Sequence, residues 1–236
     1  MIHRNNMFVL IHSPLVGPLT WSPVADEMRQ RSLDVLVPNL EDAPDSQESF
    51  WKQHAESVSR ALAHIPHETS LTLVAHSGAG PLLPAIRQST AHPVRAYVFV
   101  DAGIPRDGAS RLDLMKSEDP EWADGFQQEL ARGERFPTWS FDDLQEVIPD
   151  ASLRRQMVEE LCPRGLEFFT EPIPVFDGWP DAPCIYIQFS TPYENPAAQA
   201  RQASWQVHEL EAGHFHMLVD AKTVTDLITD AVTKQF

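Results

Sequence analysis

The residue that invites a chemical reading first is a serine set among residues of minimal bulk. In "LTLVAHSGAGPLLPAI", residues 71–86, Ser77 follows an apolar strand-like run and precedes a run with helical spacing, with Ala75, Gly78, Ala79 and Gly80 around it. A sharp strand-to-helix turn pushes a hydroxyl clear of the carboxyl edge of a sheet, and the N–H groups that follow stand at a helix N-terminus, where developing negative charge is stabilised. Only small neighbours permit so tight a turn. The letters depart from G-x-S-x-G, since Ala75 and Ala79 occupy the places where glycine is usual. A non-catalytic glycine turn has the same appearance. A nucleotide-binding loop is the other glycine-rich alternative, but the segment contains neither G-K-[ST] nor G-x-G-x-x-G. His208 and His216 invite a metal reading, yet no Cys, Asp or Glu lies nearby at an established ligand spacing, so no metal is expected.

Such a serine needs a scaffold, and the apolar pattern supplies one. Short β-branched-rich runs recur at 7–12, 34–38, 71–76, 95–101, 184–189 and 205–210. Helical spacing lies between the early ones, through Val24, Met28 and Leu33, then Ala55, Val58 and Leu62, then Leu82 to Ile86. Strand alternating with helix predicts parallel βαβ units in a doubly wound sheet, and strands that are apolar throughout fit a sheet covered on both faces. The alternation breaks between about 105 and 182, where Trp122, Phe126, Trp139, Phe141, Phe168, Phe169, Phe176 and Trp179 concentrate. This segment reads as a helical lid, residues 106–181, inserted in a core made of 1–105 and 182–236. A surface excursion that buries its own aromatics is the plainer alternative. The last residues, "AKTVTDLITDAVTKQF", read as a closing helix.

Length and composition bound what this scaffold can do. The 236 residues suit one domain with an insertion, and 42% hydrophobic with 22% charged residues is ordinary for a globular chain. A net charge of -16 opposes nucleic acid and anionic membrane surfaces, leaving a small molecule as the expected partner. Cys162 and Cys184 form no CxxC pair, which suits a reducing cytoplasm. The early run "MFVLIH" is too short for a signal-peptide core, and no stretch approaches the roughly 20 apolar residues of a membrane span.

Three segments together resemble the α/β-hydrolase superfamily across nearly the whole chain. "FVLIHSPLVGPLTWSPVADEM" is similar to its first long strand and oxyanion loop, "AHSGAG" to its nucleophile elbow, and "LEAGHFHML" to its catalytic-histidine loop. The usual amino-terminal hairpin is missing. More narrowly, the chain resembles small actinobacterial-type hydrolase-fold proteins carrying "HSPLVGP". The resemblance implies a chain order of Ser, acid, His, with Ser77 as nucleophile and His214, directly after a glycine, as base. It places Pro192 where most of the superfamily has its Asp. Two carboxylates are left as the third member, Asp101 at the end of "RAYVFVD" and Glu194. Asp101 is preferred because "VFVDAGIP" resembles the branch, haloalkane dehalogenases included, that takes its acid from the earlier strand. A turn cap before Pro105 is the alternative role for Asp101.

The same resemblance assigns one oxyanion donor to the N–H of Gly78 and the other to position 14, which is proline and has no N–H. Losing one such donor costs about 10²–10³ in turnover. Either the Leu15 N–H or the Ser13 hydroxyl takes over, or the reaction avoids an ordinary tetrahedral oxyanion. Plant hydroxynitrile lyases resemble this loop in spacing and carry a hydroxyl where Ser13 stands, but the lysine beside their histidine has no counterpart, since Phe215 follows His214. The leading expectation is therefore a cofactor-free serine hydrolase acting on an ester, thioester or lactone. A lyase, cyclase or decarboxylase that uses Ser77 and His214 as a proton relay stays open, as does a ligand-binding protein without catalysis.

Overall fold

The computed structural model describes residues 6–43 and 46–235; the first five residues and Phe236, which the domain and closing-helix readings included, lie outside the described residues. Six strands, β1 (Asn6–Ile11), β2 (Asp34–Leu36), β3 (Ser70–Ser77), β4 (Val94–Ala102), β5 (Cys184–Gln188) and β6 (Gln206–Glu209), form one sheet in the order β2-β1-β3-β4-β5-β6. Every neighbouring pair runs parallel. The predicted strands and the doubly wound α/β class are thus observed, with boundaries moved by a residue or two.

Strand periodicity explains how one apolar run serves two layers. Phe8, Leu10, Val74, Val98 and Ile185 face a core with α1 (Ser22–Gln30) and α9 (Ala221–Lys234), through Val24, Met28, Val224 and Ile228. Val9, Ile11, Leu73, Ala75, Phe99 and Tyr186 face the opposite core, built with α2 (Phe50–Leu62), α3 (Leu83–Ser89) and α8 (Glu194–Gln202). Both faces are covered, so the central strands β1, β4 and β5 are apolar over most of their length.

Between β4 and β5 run α4 (Arg111–Glu118), α5 (Pro120–Ala131), α6 (Ala151–Glu159) and α7 (Leu166–Thr170). Ser110 caps α4 in a reciprocal box with Asp113, and Asp119 and Asp150 cap α5 and α6. Part of this segment has a core of its own, with Leu112, Ala123, Phe126, Leu130, Phe168 and Phe169 packed against Phe50 and Leu15. Glu171 ties it to the rest by accepting from the Phe50 and Trp51 N–H groups at the start of α2, at 2.8 and 3.1 Å. The same carboxylate takes Arg111 Nη1 at 2.9 Å, and that buried guanidinium lies 3.9 Å above the Phe168 ring.

Candidate functional site

Ser77 ends β3 with φ 55, a left-handed conformation that a side chain tolerates poorly, and the β3–β4 register slips between His76 and Ser77. The small neighbours answer to specific contacts. A Cβ on Gly80 would lie 2.2 Å from the Gly103 carbonyl oxygen, and one on Gly78 would lie 3.1 Å from Ser13 Oγ. The elbow is therefore pressed against the end of β4 on one side and the 13–15 loop on the other.

That loop is held through its carbonyls. Ser13 O accepts from His12 Nδ1 at 2.9 Å and from the Val16 N–H at 3.1 Å. Pro14 O accepts from Arg164 Nε and Nη2 at 3.3 and 3.2 Å, and Leu15 O accepts from the Cys162 N–H at 2.9 Å. Arg164 is itself anchored on Asp42. What remains beside the elbow is the Ser13 hydroxyl, which receives the Leu15 N–H over a long 3.4 Å. Pro14 has no N–H to donate; Gly78 and Leu15 line the same cavity as Ser77, and the Ser13 hydroxyl lies beside Gly78. His12 is buried and neutral, its pKa lowered to about 4 mainly by burial, so it donates through Nδ1 while Nε2 accepts from the Leu40 N–H at 3.3 Å.

Asp101 stands at the end of β4, fully buried and with φ 41. Its carboxylate accepts from the Phe189 N–H at 2.6 Å, the Ser190 N–H at 3.1 Å and the Ser190 hydroxyl at 2.5 Å. Its Oδ2 also receives His214 Nδ1 at 3.0 Å. Tyr186 braces the neighbouring backbone, donating to Ala102 O at 2.8 Å and accepting from its N–H at 3.2 Å. Of the two carboxylates weighed, Asp101 therefore meets the imidazole. Glu194 is exposed at the start of α8.

The loop that carries His214 follows β6 and is fastened from below by His76, whose Nε2 donates to the His214 carbonyl at 3.0 Å. Burial, and then the adjacent His214, hold His76 well below the usual imidazole pKa, so it remains a neutral donor. The two rings lie 4.4 Å apart. His208 and His216 do not converge: His208 bonds Gln206, and His216 packs on Phe189. Among the described residues no group of three or more His, Cys, Asp or Glu side chains is arranged to hold a metal ion.

One partner was not anticipated. Ser77 Oγ is hydrogen-bonded at 3.1 Å to the hydroxyl of Tyr193, whose ring stacks on His214 with centroids 5.0 Å apart and planes 4° apart. Among the described residues there is no direct hydrogen bond between Ser77 Oγ and the imidazole. The sequence signal for it is the "TPYENP" turn, whose one aromatic residue carries a hydroxyl.

Ser77 opens into a cavity of about 210 Å³ whose walls include Leu15, Pro81 and Gly103 from the core and Leu114, Phe168 and Phe169 from the inserted helices. Glu118 is its acidic wall residue, with its carboxyl pushed up to about 7 by burial. The placement, at the carboxyl ends of β3 and β4, is where parallel α/β sheets bind ligands.

A sequence model of the alpha/beta hydrolase family matches residues 8–227. The chain belongs to the alpha/beta hydrolase family. Solved structures agree on the fold of this alpha/beta hydrolase. An extracellular alpha/beta-hydrolase from a Paenibacillus species is 18% identical, with TM-score 0.76 over 95% of this chain and 98% of that one. Tomato methylketone synthase I, complexed with 2-tridecanone, is 14% identical, with TM-score 0.71 over 98% and 99%. A pyrethroid hydrolase from Sphingobium faniae JZ-2 is 16% identical, with TM-score 0.68 over 97% of each chain. No curated protein sequence matches this alpha/beta hydrolase. Among its described residues no helix is long and apolar enough to cross a membrane.

Proposed function

We propose that this alpha/beta hydrolase is a serine hydrolase that cleaves an ester, thioester or lactone of a small, largely apolar substrate. The observation that carries the reading is the buried Asp101–His214 pair, joined at 3.0 Å, beside a serine on a strained turn that opens into a cavity. With Nδ1–H committed to Asp101, His214 is left with Nε2 as a base. It takes the Ser77 proton as Oγ bonds to the substrate carbonyl carbon, and the carbonyl electron pair moves onto oxygen. The Gly78 and Leu15 N–H groups, with the Ser13 hydroxyl, receive that charge, which offsets the donor that Pro14 lacks. The C–O or C–S bond then breaks, the leaving atom takes the proton from His214, and water releases the acyl group by the same route in reverse. No cofactor enters this chemistry.

The cavity size and its Phe168, Phe169, Leu114 and Leu15 lining support a compact apolar acyl group. Residues 106–181 act as its lid in this reading. The two cysteines are unpaired, in keeping with a reducing cytoplasm. A second reading, proton-relay chemistry without an acyl-enzyme, draws support from Pro14 and from the Ser77 hydroxyl resting on Tyr193. Tomato methylketone synthase I, whose H243A variant is complexed with β-ketoheptanoate, has the same fold. Incubation with a fluorophosphonate followed by peptide mass mapping separates the two. Hydrolysis predicts a stoichiometric adduct on Ser77 that is absent from Ser77→Ala, whereas an unmodified Ser77 with no turnover of activated esters contradicts it.

A further inference from the structure

Tyr193 sits at the reacting atoms with no role in the three-residue scheme. It ends the turn Thr191–Tyr193 between β5 and α8, and its hydroxyl reaches Ser77 Oγ while its ring lies flat on His214. Two protons are available for that contact. Either hydroxyl can donate in the 3.1 Å contact, but once the single Ser77 hydrogen turns to His214 for the attack, Ser77 Oγ is left to accept the Tyr193 hydrogen. Burial, and then the nearby Asp101 and Glu118, hold the phenol above its ordinary pKa, so it stays a neutral donor through the working pH range.

Attack moves the acceptor. Once Oγ is bonded to carbon, the leaving oxygen is attached to the same carbon and lies next to Oγ, on the side where His214 returns the proton. A donor already within 3.1 Å of Oγ, and stacked on that imidazole, is within one small side-chain rotation of the leaving oxygen. We propose that Tyr193 is a further catalytic residue that donates a hydrogen bond to the leaving-group oxygen, fitting this site to alkyl esters or lactones, whose alkoxide leaving groups are basic. The proposal rests on the serine-hydrolase reading. In the step itself the carbonyl carbon to leaving-oxygen bond breaks, its electron pair stays on that oxygen, and the proton it receives comes from His214 Nε2. Tyr193 keeps its own proton and stabilises the charge that builds before transfer is complete. A leaving group that is already a weak base, such as p-nitrophenolate, needs little of this help.

The test compares Tyr193→Phe with the parent enzyme on a series of acetate esters running from p-nitrophenyl through phenyl to ethyl. The ring and its stacking on His214 are retained in this variant, and circular dichroism with fluorophosphonate labelling of Ser77 checks that fold and nucleophile survive. Expected is a loss in kcat/KM that grows along the series, from under about 3-fold for the p-nitrophenyl ester to about 10–100-fold for the ethyl ester, the scale of one transition-state hydrogen bond. A loss of equal factor across the series, or no loss, overturns the proposal while leaving Ser77 labelling intact. If Ser77 fails to label in the parent enzyme, both this proposal and the serine-hydrolase reading fall.

Discussion

Glu118 shows how a single side chain links the cavity to stability. Its carboxyl stands in the cavity wall with no hydrogen-bonding partner among the described residues, and burial raises its pKa from 4.5 to about 7. The folded protein therefore binds this proton more tightly than the unfolded chain does. Between about pH 4.5 and 7 the folded state carries more protons, so stability falls as pH rises through that window. Glu118→Gln should be more stable than the parent by about 1 kcal/mol near pH 8, a figure kept low because the group is partly solvated, and indistinguishable from it near pH 4. Urea unfolding at both pH values checks this; an equal difference at both contradicts it. Residues whose demands are local were legible in the sequence. Ser77 and its small neighbours follow from sterics over a few residues, and Gly80, with 2.2 Å to the Gly103 carbonyl for any added Cβ, shows why. Tyr193 was not legible, because its partner lies 116 residues away and the turn that aims it has no sequence code for what it aims at.

At the scale of elements, the inserted helices line part of the cavity, and polar anchors fix them to the core. Arg164 grips Pro14 O and Asp42, and Glu171 closes the N-terminus of α2 while pairing with the buried Arg111. Removing Glu171 leaves two helix N–H groups without their acceptor and strips the buried Arg111 of its carboxylate, with the Phe168 carbonyl still in reach of Nη1. Glu171→Ala should thus destabilise the protein by about 3–5 kcal/mol. Limited proteolysis should also cut first within residues 106–181. A loss below about 1 kcal/mol, with no change in the cleavage pattern, would mean that the segment is docked by its aromatics alone. The break in strand-helix alternation coincides with the four helices between β4 and β5, whose aromatics pack on one another around Phe126 and Phe169. Its anchors were not readable, since Arg164 and Glu171 meet partners more than a hundred residues distant.

For the molecule as a whole, the fold brings remote residues to one sheet edge. The strand order places β3 and β4 side by side, so Ser77 and Asp101 emerge as neighbours, while the loop after β6 reaches back past β5 to set His214 on Asp101. The strand pattern made the parallel sheet visible in the sequence because the central strands are apolar on both faces. The acid was harder to assign: the resemblance carried by "VFVDAGIP" favoured Asp101 over Glu194, but it is the sheet order that brings one of them to the imidazole. The most direct measurement is the rate of fluorophosphonate labelling at Ser77 in Asp101→Asn and Glu194→Gln. An asparagine at 101 can still bond His214 but favours the wrong tautomer, so labelling should slow by about 10²–10⁴. Glu194→Gln should label at the parental rate. The reverse pattern, with Glu194→Gln slowed and Asp101→Asn unaffected, would contradict the convergence of Ser77, His214 and Asp101.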